Sequence, residues 1–392
     1  MLATFCFMSS NMLANPIVAG YAESLGADGM LMGAVAGSMS FISLFCRPIA
    51  GNLSDKTSKR TLVAVGTVLY FAAGLLYYFA NSPIMLIMAR VINGVGFACC
   101  SVCLATWMSL LLPIRHMGAG MGLYGTMNAL AMAVGPALGI RAQKYIGYRL
   151  TFLSSLVLAV IMLIATLMVK NGGQPVRKKQ TSITENPFTS VAIDGSASAT
   201  KKHRFSIRSI LEPRVVPLSL TFMMFAIAYF ANQSFIVNYV QSRHLPVSSD
   251  LFFMFYAVAL LVLRLGLRDL FDSKGFRFWL TVCSLGMLAM LACMTFLFND
   301  WMLLLAAIFT AVGYGLMSSV TQAQAVVIAG RERSGIANST YYAGIDLGMS
   351  VGPFVGGLVY GRLSAVWFYP VFMLAMPVAW LIYLLCVKRV SR

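Results

Sequence analysis

The sequence predicts an all-α membrane protein with twelve transmembrane helices in two six-helix pseudo-symmetric bundles. Three observations predict it. Of 392 residues, 59% are hydrophobic and only 10% charged, with a mean hydropathy of +0.81, and a surface of that kind would aggregate in water. The apolar runs approach the ~20 residues that cross ~30 Å of hydrocarbon as a helix, and the alternating ~10-residue segments of a β-barrel are absent. Finally, one offset of 217 residues lays the first half of the chain on the second: Asn15 on Asn232, Arg47 on Arg264, Asp55 on Asp272, Arg60 on Arg277, Gly135 on Gly352, Pro136 on Pro353 and Gly139 on Gly356. That many coincidences mark an internal duplication.

The net charge of +17 resolves once the charges are located. Of the 29 Lys and Arg, 21 fall in inner loops and tails, five in outer loops, and three (Arg47, Arg90 and Arg264) inside spans. This positive-inside bias accounts for the basicity and places both termini on the cytoplasmic side of a cell membrane. Nucleic acid is not an expected partner, because no basic cluster is interleaved with exposed aromatics. The expected partners are a small-molecule substrate and the lipid bilayer, with the chain acting as a monomer. All eight cysteines sit in apolar runs, so no disulfide framework is expected. Cys99-Cys100-x-x-Cys103 reads as small polarizable packing rather than a soft-metal site, and no metal is expected.

In chain order, the first span runs from about Leu2 to Tyr21, with Asn11, Asn15 and Pro16 at mid-depth. It lacks the basic n-region of a signal peptide, and a second span follows within a few residues. The acidic connector Glu23–Asp28 belongs outside. The second span, Gly29 to Leu53, carries a small-residue ridge at Gly33 and Gly37 and ends in Arg47-Pro48-Ile49-Ala50-Gly51. A charged inner turn leads into the third span, which ends near Ala80. The fourth starts near Pro83 and contains Arg90, Asn93, Gly94 and Gly96, then Thr106 and Trp107; the fifth runs from Met117 to Ile140 and the sixth from Leu150 to Val169.

Between Lys170 and Arg214 the composition turns polar, with Gly172, Gly173, Pro175, Pro187 and the run Asp194-Gly195-Ser196-Ala197-Ser198-Ala199 between basic clusters. This reads as a flexible cytoplasmic linker, dividing the chain into 1-170, 171-213 and 214-392. Phe205–Leu211 is a candidate surface helix. Six further spans follow, near Val215–Val240, Leu251–Leu267, Phe278–Leu297, Met302–Ile328, Ser334–Tyr360 and Ala365–Val387. Six plus six spans in parallel repeats, joined by an inner linker, form a secondary-transporter architecture, with the substrate site expected at mid-membrane between the halves.

Along essentially its whole length the chain then resembles a family. Gly51-x-Leu53-x-Asp55-Lys56-x-x-x-Arg60 matches the inner-loop motif of the major facilitator superfamily, and Arg90-x-x-Asn93-Gly94-x-Gly96 matches its fourth-helix motif, with Asn where Gln is often seen. Gly122-x8-Ala131-x3-Gly135-Pro136-x2-Gly139 resembles the fifth-helix motif of the drug:proton antiporter branch, with Ala131 and Ile140 replacing two glycines. Ser339-x8-Gly348-x3-Gly352-Pro353-x2-Gly356-Gly357 repeats that pattern in the eleventh span. The resemblance implies the major facilitator fold, alternating access and export by exchange, with the proton gradient as energy source and no cofactor. It implies also that Gly51, Asp55, Arg60 and Arg90, with Asp272 and Arg277 in the second half, latch the inner side shut in one conformation. Arg268 stands where Gly51 would repeat, so the latch is expected to be unequal. Glycines four apart let helices approach closely, and proline softens a helix. Gly122, Gly135, Pro136, Gly139, Gly348, Gly352, Pro353 and Gly356 are therefore expected to serve packing and rocking.

The departures from symmetry carry more information, because duplication cannot explain them. Asp346 lines up with Ala129 and Arg90 with Ala307. Asp346 alone of the twelve acids falls inside a span, roughly 18 Å along the helix from Ser334, where an acid costs roughly 2.5–3.5 kcal/mol. It stands about 200° around the helix from Gly348, away from the glycine ridge, with Tyr342 one turn earlier on its own face. Asp346 and Tyr342 are the expected proton-coupling pair. Arg90, read as near the inner end of the fourth span, is a candidate for a conformational ion pair or for holding an anionic group. Asn11, Asn15, Trp107, Tyr229, Asn232, Gln233, Tyr314, Ser318 and Gln322 are the substrate-binding candidates, since amides, hydroxyls and rings suit a ligand of mixed polarity.

The expected function is proton-coupled efflux of small amphipathic or zwitterionic molecules by alternating access. A dedicated exporter of a polar metabolite or metal chelator, and an uptake symporter or uniporter of the same fold, stay open. An enzyme is not expected: the sequence has no His-Glu-x-x-His, no Gly-x-Ser-x-Gly and no paired central carboxylates.

Overall fold

The computed structural model describes residues 1–112, 117–169, 212–267, 274–330 and 334–390, together with 173 and 270. Among the described residues there are helices and no strands, as expected of a chain whose backbone must satisfy its own hydrogen bonds in lipid. The proposed linker 171-213, apart from Gly173, Glu212 and Pro213, lies outside them, as do Phe205–Leu211 and Asp272.

Helix α1 (Leu2–Ser24) is followed by α2 (Gly29–Lys56), whose start is set by Asp28: its carboxylate accepts the Leu31 amide at 2.8 Å, satisfying one of the orphan donors of a helix N-terminus. Next come α3 (Lys59–Phe79) and α4 (Pro83–Leu111), the latter capped by Ser82 with proline at its first position, where no amide hydrogen is needed. The fifth and sixth spans, expected as separate helices, form one helical run, α5 (Met117–Leu167), interrupted at Gly147 with φ 76° and ψ 174°. That backbone region is open to glycine. A straight helix of 51 residues would run roughly 76 Å, more than twice the hydrocarbon thickness, so α5 supplies two crossings that meet at Gly147.

The second half contains α6 (Val216–Ser242), α7 (Ser249–Gly266) and α8 (Phe276–Thr295). The tenth span is a composite: α9 (Asp300–Thr310), a π-helical segment (Ala311–Leu316) and α10 (Met317–Ala329). Then come α11 (Ser334–Arg362) and a last span broken into α12 (Phe368–Met373) and α13 (Ala375–Val390). Ten described stretches are long and apolar enough to cross a membrane; counting α5 as two and adding α7 makes the expected twelve. The molecule has a Glu23 end, where α1 passes to α2, and an Arg60 end, where α2 passes to α3.

The inherited glycine ridges pack inside the halves. In the first, α5 lies along α1, and a Cβ on Gly135 would come 2.8 Å from Met12 Cβ, with Gly139 still tighter against Leu13. In the second, α11 lies along α6, and a Cβ on Gly352 would come 2.5 Å from the Ile227 carbonyl, with Gly348 against Ala226 and Gly356 against Phe235. The close approach between halves belongs to other glycines. Helix α2 runs along α11, where Cβ atoms on Gly29, Gly33 and Gly37 would meet backbone of Gly361, Pro353 and Ser350 at 2.5, 2.6 and 2.5 Å. These contacts occupy the part of α2 nearer the Glu23 end.

Candidate functional site

The deep acid has a counter-ion. Arg47 of α2 donates Nη2 to Asp346 Oδ1 of α11 at 3.0 Å, and its Nε stands 2.5 Å from Oδ2. The two residues come from opposite halves. Asp346 is 2% exposed and Arg47 22%. Asp346 therefore does not stand by itself in the membrane, as its isolation among the acids suggested; an unpaired buried carboxylate is far costlier than one held by a guanidinium. The signal for this pair was legible as depth. Arg47 lies roughly 27 Å along α2 from Gly29, and Asp346 roughly 24 Å along α11 from Arg362, both measured from the Glu23 end.

Aromatic rings flank the guanidinium: Phe97 of α4 at 5.5 Å and Tyr342 of α11 at 5.8 Å from Arg47 Cζ to ring centroid. Both distances allow attraction between a cation and a ring face. Asn338, Tyr342 and Asp346 recur every four residues and so share one stripe of α11. From α10, Gln322 donates Nε2 to Asn338 Oδ1 at 3.2 Å and reaches the Tyr342 hydroxyl at 3.5 Å. Of the expected residues, Asp346, Tyr342 and Gln322 are thus brought together, and Arg47, Phe97 and Asn338 join them.

Other expected residues are placed elsewhere. Arg90 lies seven residues from Pro83, nearer the Glu23 end than the inner end assumed for it. It is buried and donates to Val35 O at 3.2 Å, Ala36 O at 2.7 Å and Asn15 Oδ1 at 3.1 Å. These are carbonyl and amide partners, so Arg90 ties α1, α2 and α4 together within the first half, and Asn15 is engaged there too. The repeat of Asn15, Asn232, accepts the Tyr369 hydroxyl at 2.9 Å inside the second half. Tyr229 and Tyr314 stack with centroids 4.0 Å apart and planes 1° from parallel, in a buried cluster with Phe222, Phe230 and Tyr256. The π segment, which carries Tyr314, inserts an extra residue into its turn beside that cluster. Ser318 of α10 donates back to Gly315 O of the π segment, 2.9 Å away. Trp107 is buried close to Gly173, four residues from the end of α4 and far from mid-depth.

Asn11 and Gln233 are buried with amide groups that lack protein partners: both polar atoms of Asn11, and Oε1 of Gln233. Gln233 Nε2 reaches across the halves to Met12 Sδ at 3.9 Å, a weak acceptor. Of the latch residues, Arg60 donates to the Val169 carbonyl and so joins α3 to the end of α5 within the first half. A Cβ on Gly51 would meet nothing within 4 Å, and Arg277 is exposed at the start of α8. The side chain of Asp55 and the surroundings of Gly122 lie outside the described residues. One contact was not anticipated: at the Glu23 end, Asn238 of α6 and Tyr360 of α11 both donate to the Glu23 carboxylate, the hydroxyl at 3.4 Å.

Two duplicated helical bundles, held together at one end and by a buried ion pair at mid-depth, define a secondary transporter. The chain belongs to the Major Facilitator Superfamily, whose sequence model matches residues 1–300 and 270–392. It is 23% identical over 369 residues to an uncharacterized MFS-type transporter of Methanocaldococcus jannaschii, covering 93% of this chain and 90% of that protein. An SPX domain-containing membrane protein of Arabidopsis thaliana is 32% identical over 169 residues, 42% of this chain and 24% of that longer protein. Among solved structures, a D323A mutant of the nucleoside transporter NupG superimposes with a TM-score of 0.75 at 12% identity, covering 98% of both chains. A POT family transporter in complex with a thioalcohol conjugated peptide gives 0.75 at 12% identity, covering 100% of this chain and 96% of that one. At such identities these structures share the fold. The chain is a transporter, not an enzyme.

Proposed function

We propose that this protein is a proton-coupled secondary active transporter of the cytoplasmic membrane that moves small amphipathic or zwitterionic solutes by alternating access, with Arg47 and Asp346 as its coupling centre. One observation carries the reading: the deep charged pair joins the two halves that must move against each other. A proton on Asp346 removes the charge that holds Arg47, and its departure restores it. Breaking a buried pair by removing one partner costs about 3–5 kcal/mol, enough for occupancy of the site to shift which conformation is populated. Tyr342 and Gln322 extend the site. The Gly51, Asp55 and Arg60 turn, with Asp272 and Arg277, is assigned to the cytoplasmic latch. The glycine motifs of the fifth and eleventh spans add a direction, efflux by exchange; the pair itself supports coupling in either sense.

The test is proton flux. In liposomes carrying the purified protein and an internal pH dye, adding a transported solute should move protons, and Asp346→Asn should cut that flux by about tenfold or more, a barrier change of about 1.4 kcal/mol. Wild-type flux in the variant, or solute transport with no proton movement, would remove Asp346 from the coupling role.

A further inference from the structure

The last span opens a cleft on the outer face of the second half. Its helix breaks at Leu374, between α12 and α13, and Pro377 in the first turn of α13 has no amide hydrogen to continue the ladder. Next to the break, Thr281, Ser284 and Leu288 of α8 face Met376, Pro377 and Trp380 of α13 around a cleft of about 340 Å3, within the ~300–1,000 Å3 of ligand sites. Trp380 Nε1 donates to Ser284 Oγ at 3.1 Å, bridging the two helices. Leu285, which also lines the cleft, is 62% exposed, so the opening faces lipid and not the space between the halves.

The cleft has a charged mouth. Helix α8 starts at the Arg60 end, since α6 reaches the Glu23 end at Asn238 and α7 returns. Thr281 to Leu288 therefore lie roughly 8–18 Å deep, measured from Phe276. Arg277, Thr281, Ser284 and Leu288 recur at helical spacing along one stripe, which puts the exposed Arg277 at the mouth nearest the Arg60 end. Lys274, just before the helix, sets its ammonium 5.7 Å from the Phe278 ring centroid.

Duplication does not account for this cleft. The positions 217 residues before Ser284, Pro377 and Trp380 hold Thr67, Val160 and Leu163. Thr67 donates back to Val63 O of its own helix at 2.8 Å, and α5 runs unbroken from Gly147 to Leu167. Tyr77 of α3 stacks on Phe152 of α5 with centroids 4.5 Å apart, and Arg60 donates to the Val169 carbonyl. The first half closes the interface that the second half opens, and the arginine that ties α3 to α5 stands exposed in its copy.

We propose that this cleft holds an anionic phospholipid of the leaflet at the Arg60 end, one acyl chain between α8 and α13 and the headgroup phosphate on Arg277 and Lys274. Apolar burial seats the chain. The guanidinium offers a phosphate paired N–H donors and the ammonium adds a point charge, so an anionic headgroup is selected over a zwitterionic one. The site is separate from the coupling centre and does not rest on it. Arg277, assigned above to the latch, is exposed in this conformation and meets the headgroup there.

The test is quenching of tryptophan fluorescence by lipids brominated midway along their chains. The full chain in mixed micelles is titrated with brominated phosphatidylglycerol and, separately, with brominated phosphatidylcholine of the same chains. Phosphatidylglycerol should half-quench at about a tenfold lower mole fraction, the preference expected of two basic residues at a charged surface. Trp380→Phe should remove this selective component. The double variant Lys274→Gln/Arg277→Gln should lose the preference while phosphatidylcholine still quenches, an outcome that unfolding cannot mimic. Thr281→Phe, at an exposed position, should fill the cleft and abolish the selective component with both cations in place. Equal quenching by the two lipids, a preference that survives the double variant or Thr281→Phe, or selective quenching that persists in Trp380→Phe overturns the proposal. A dimer that Thr281→Phe converts to monomer also overturns it, making the cleft a seat for a second copy.

Discussion

Arg47 and Arg264 occupy the same place in the two repeats and have different partners. In the first half, Arg47 crosses to the deep acid Asp346 of the second half. In the second half, Arg264 stays at home and donates to the Ser319 hydroxyl at 3.0 Å. The amides differ in parallel: Asn15 accepts from the buried Arg90, and its repeat Asn232 from the neutral Tyr369. Duplication supplied a scaffold with an asparagine and an arginine at matching depths in the two halves. Divergence of the partners joined the first half's arginine to an acid of the second half and left Arg264 with a neutral partner inside its own half.

The sharpest way to break this contrast is to remove each arginine. Arg47→Ala should destabilise by about 3–5 kcal/mol, because it strands a buried carboxylate, and adding Asp346→Ala should recover most of that loss. Arg264→Ala should cost only about 1.5–3 kcal/mol, one hydrogen bond from a charged donor. Thermal unfolding in detergent measures both, and equal losses would erase the distinction. Next in size, Asn15→Ala should cost about 1.5–3 kcal/mol, since it strips a partner from a buried cation, and Asn232→Ala about 0.5–1.5 kcal/mol; chemical denaturation ranks them.

The glycines sharpen the comparison in another way. Gly352→Val, facing the Ile227 carbonyl inside one half, should lower stability by about 1–3 kcal/mol through overpacking. Gly33→Val, facing Pro353 across the halves, should instead push them apart, read as faster labelling of a cysteine introduced at the Glu23 end. The smallest effect is expected at Glu23→Gln, which weakens the bonds from Asn238 and Tyr360. A loss of about 1 kcal/mol corresponds to about a fivefold shift toward the state open at that end, measurable by distance distributions between spin labels on α1 and α6.

Much of the fold could be read from residues taken in order. Hydropathy locates the spans, depth singles out Asp346, and helical spacing puts Tyr342 on its face. The expectation that failed for Arg90 came from counting depth from the wrong end of α4; its distance from Pro83 was already in the sequence. The substrate-binding stripe was overcounted, because an amide or tyrosine at helical spacing looks the same whether it faces a cavity or, like Asn15 and Tyr229, the inside of its own bundle. Glu23 was assigned to an acidic outer connector, and nothing in its surroundings pointed to Asn238 and Tyr360.

The sequence by itself determined the membrane class, the twelve crossings, the duplication and the depth of each charge, because hydropathy and helical rise are local quantities that accumulate along the chain. The tertiary structure decided which residues meet. Arg47 and Asp346 are 299 positions apart, and their pairing depends on how α2 is rotated about its axis and which helix of the other half it lies against. That rotation turns Gly33 toward the other half, while the packing of α5 on α1 and of α11 on α6 keeps Gly135 and Gly352 inside their own. Depth is a property of one helix; a partner is a property of two, and their packing sets it.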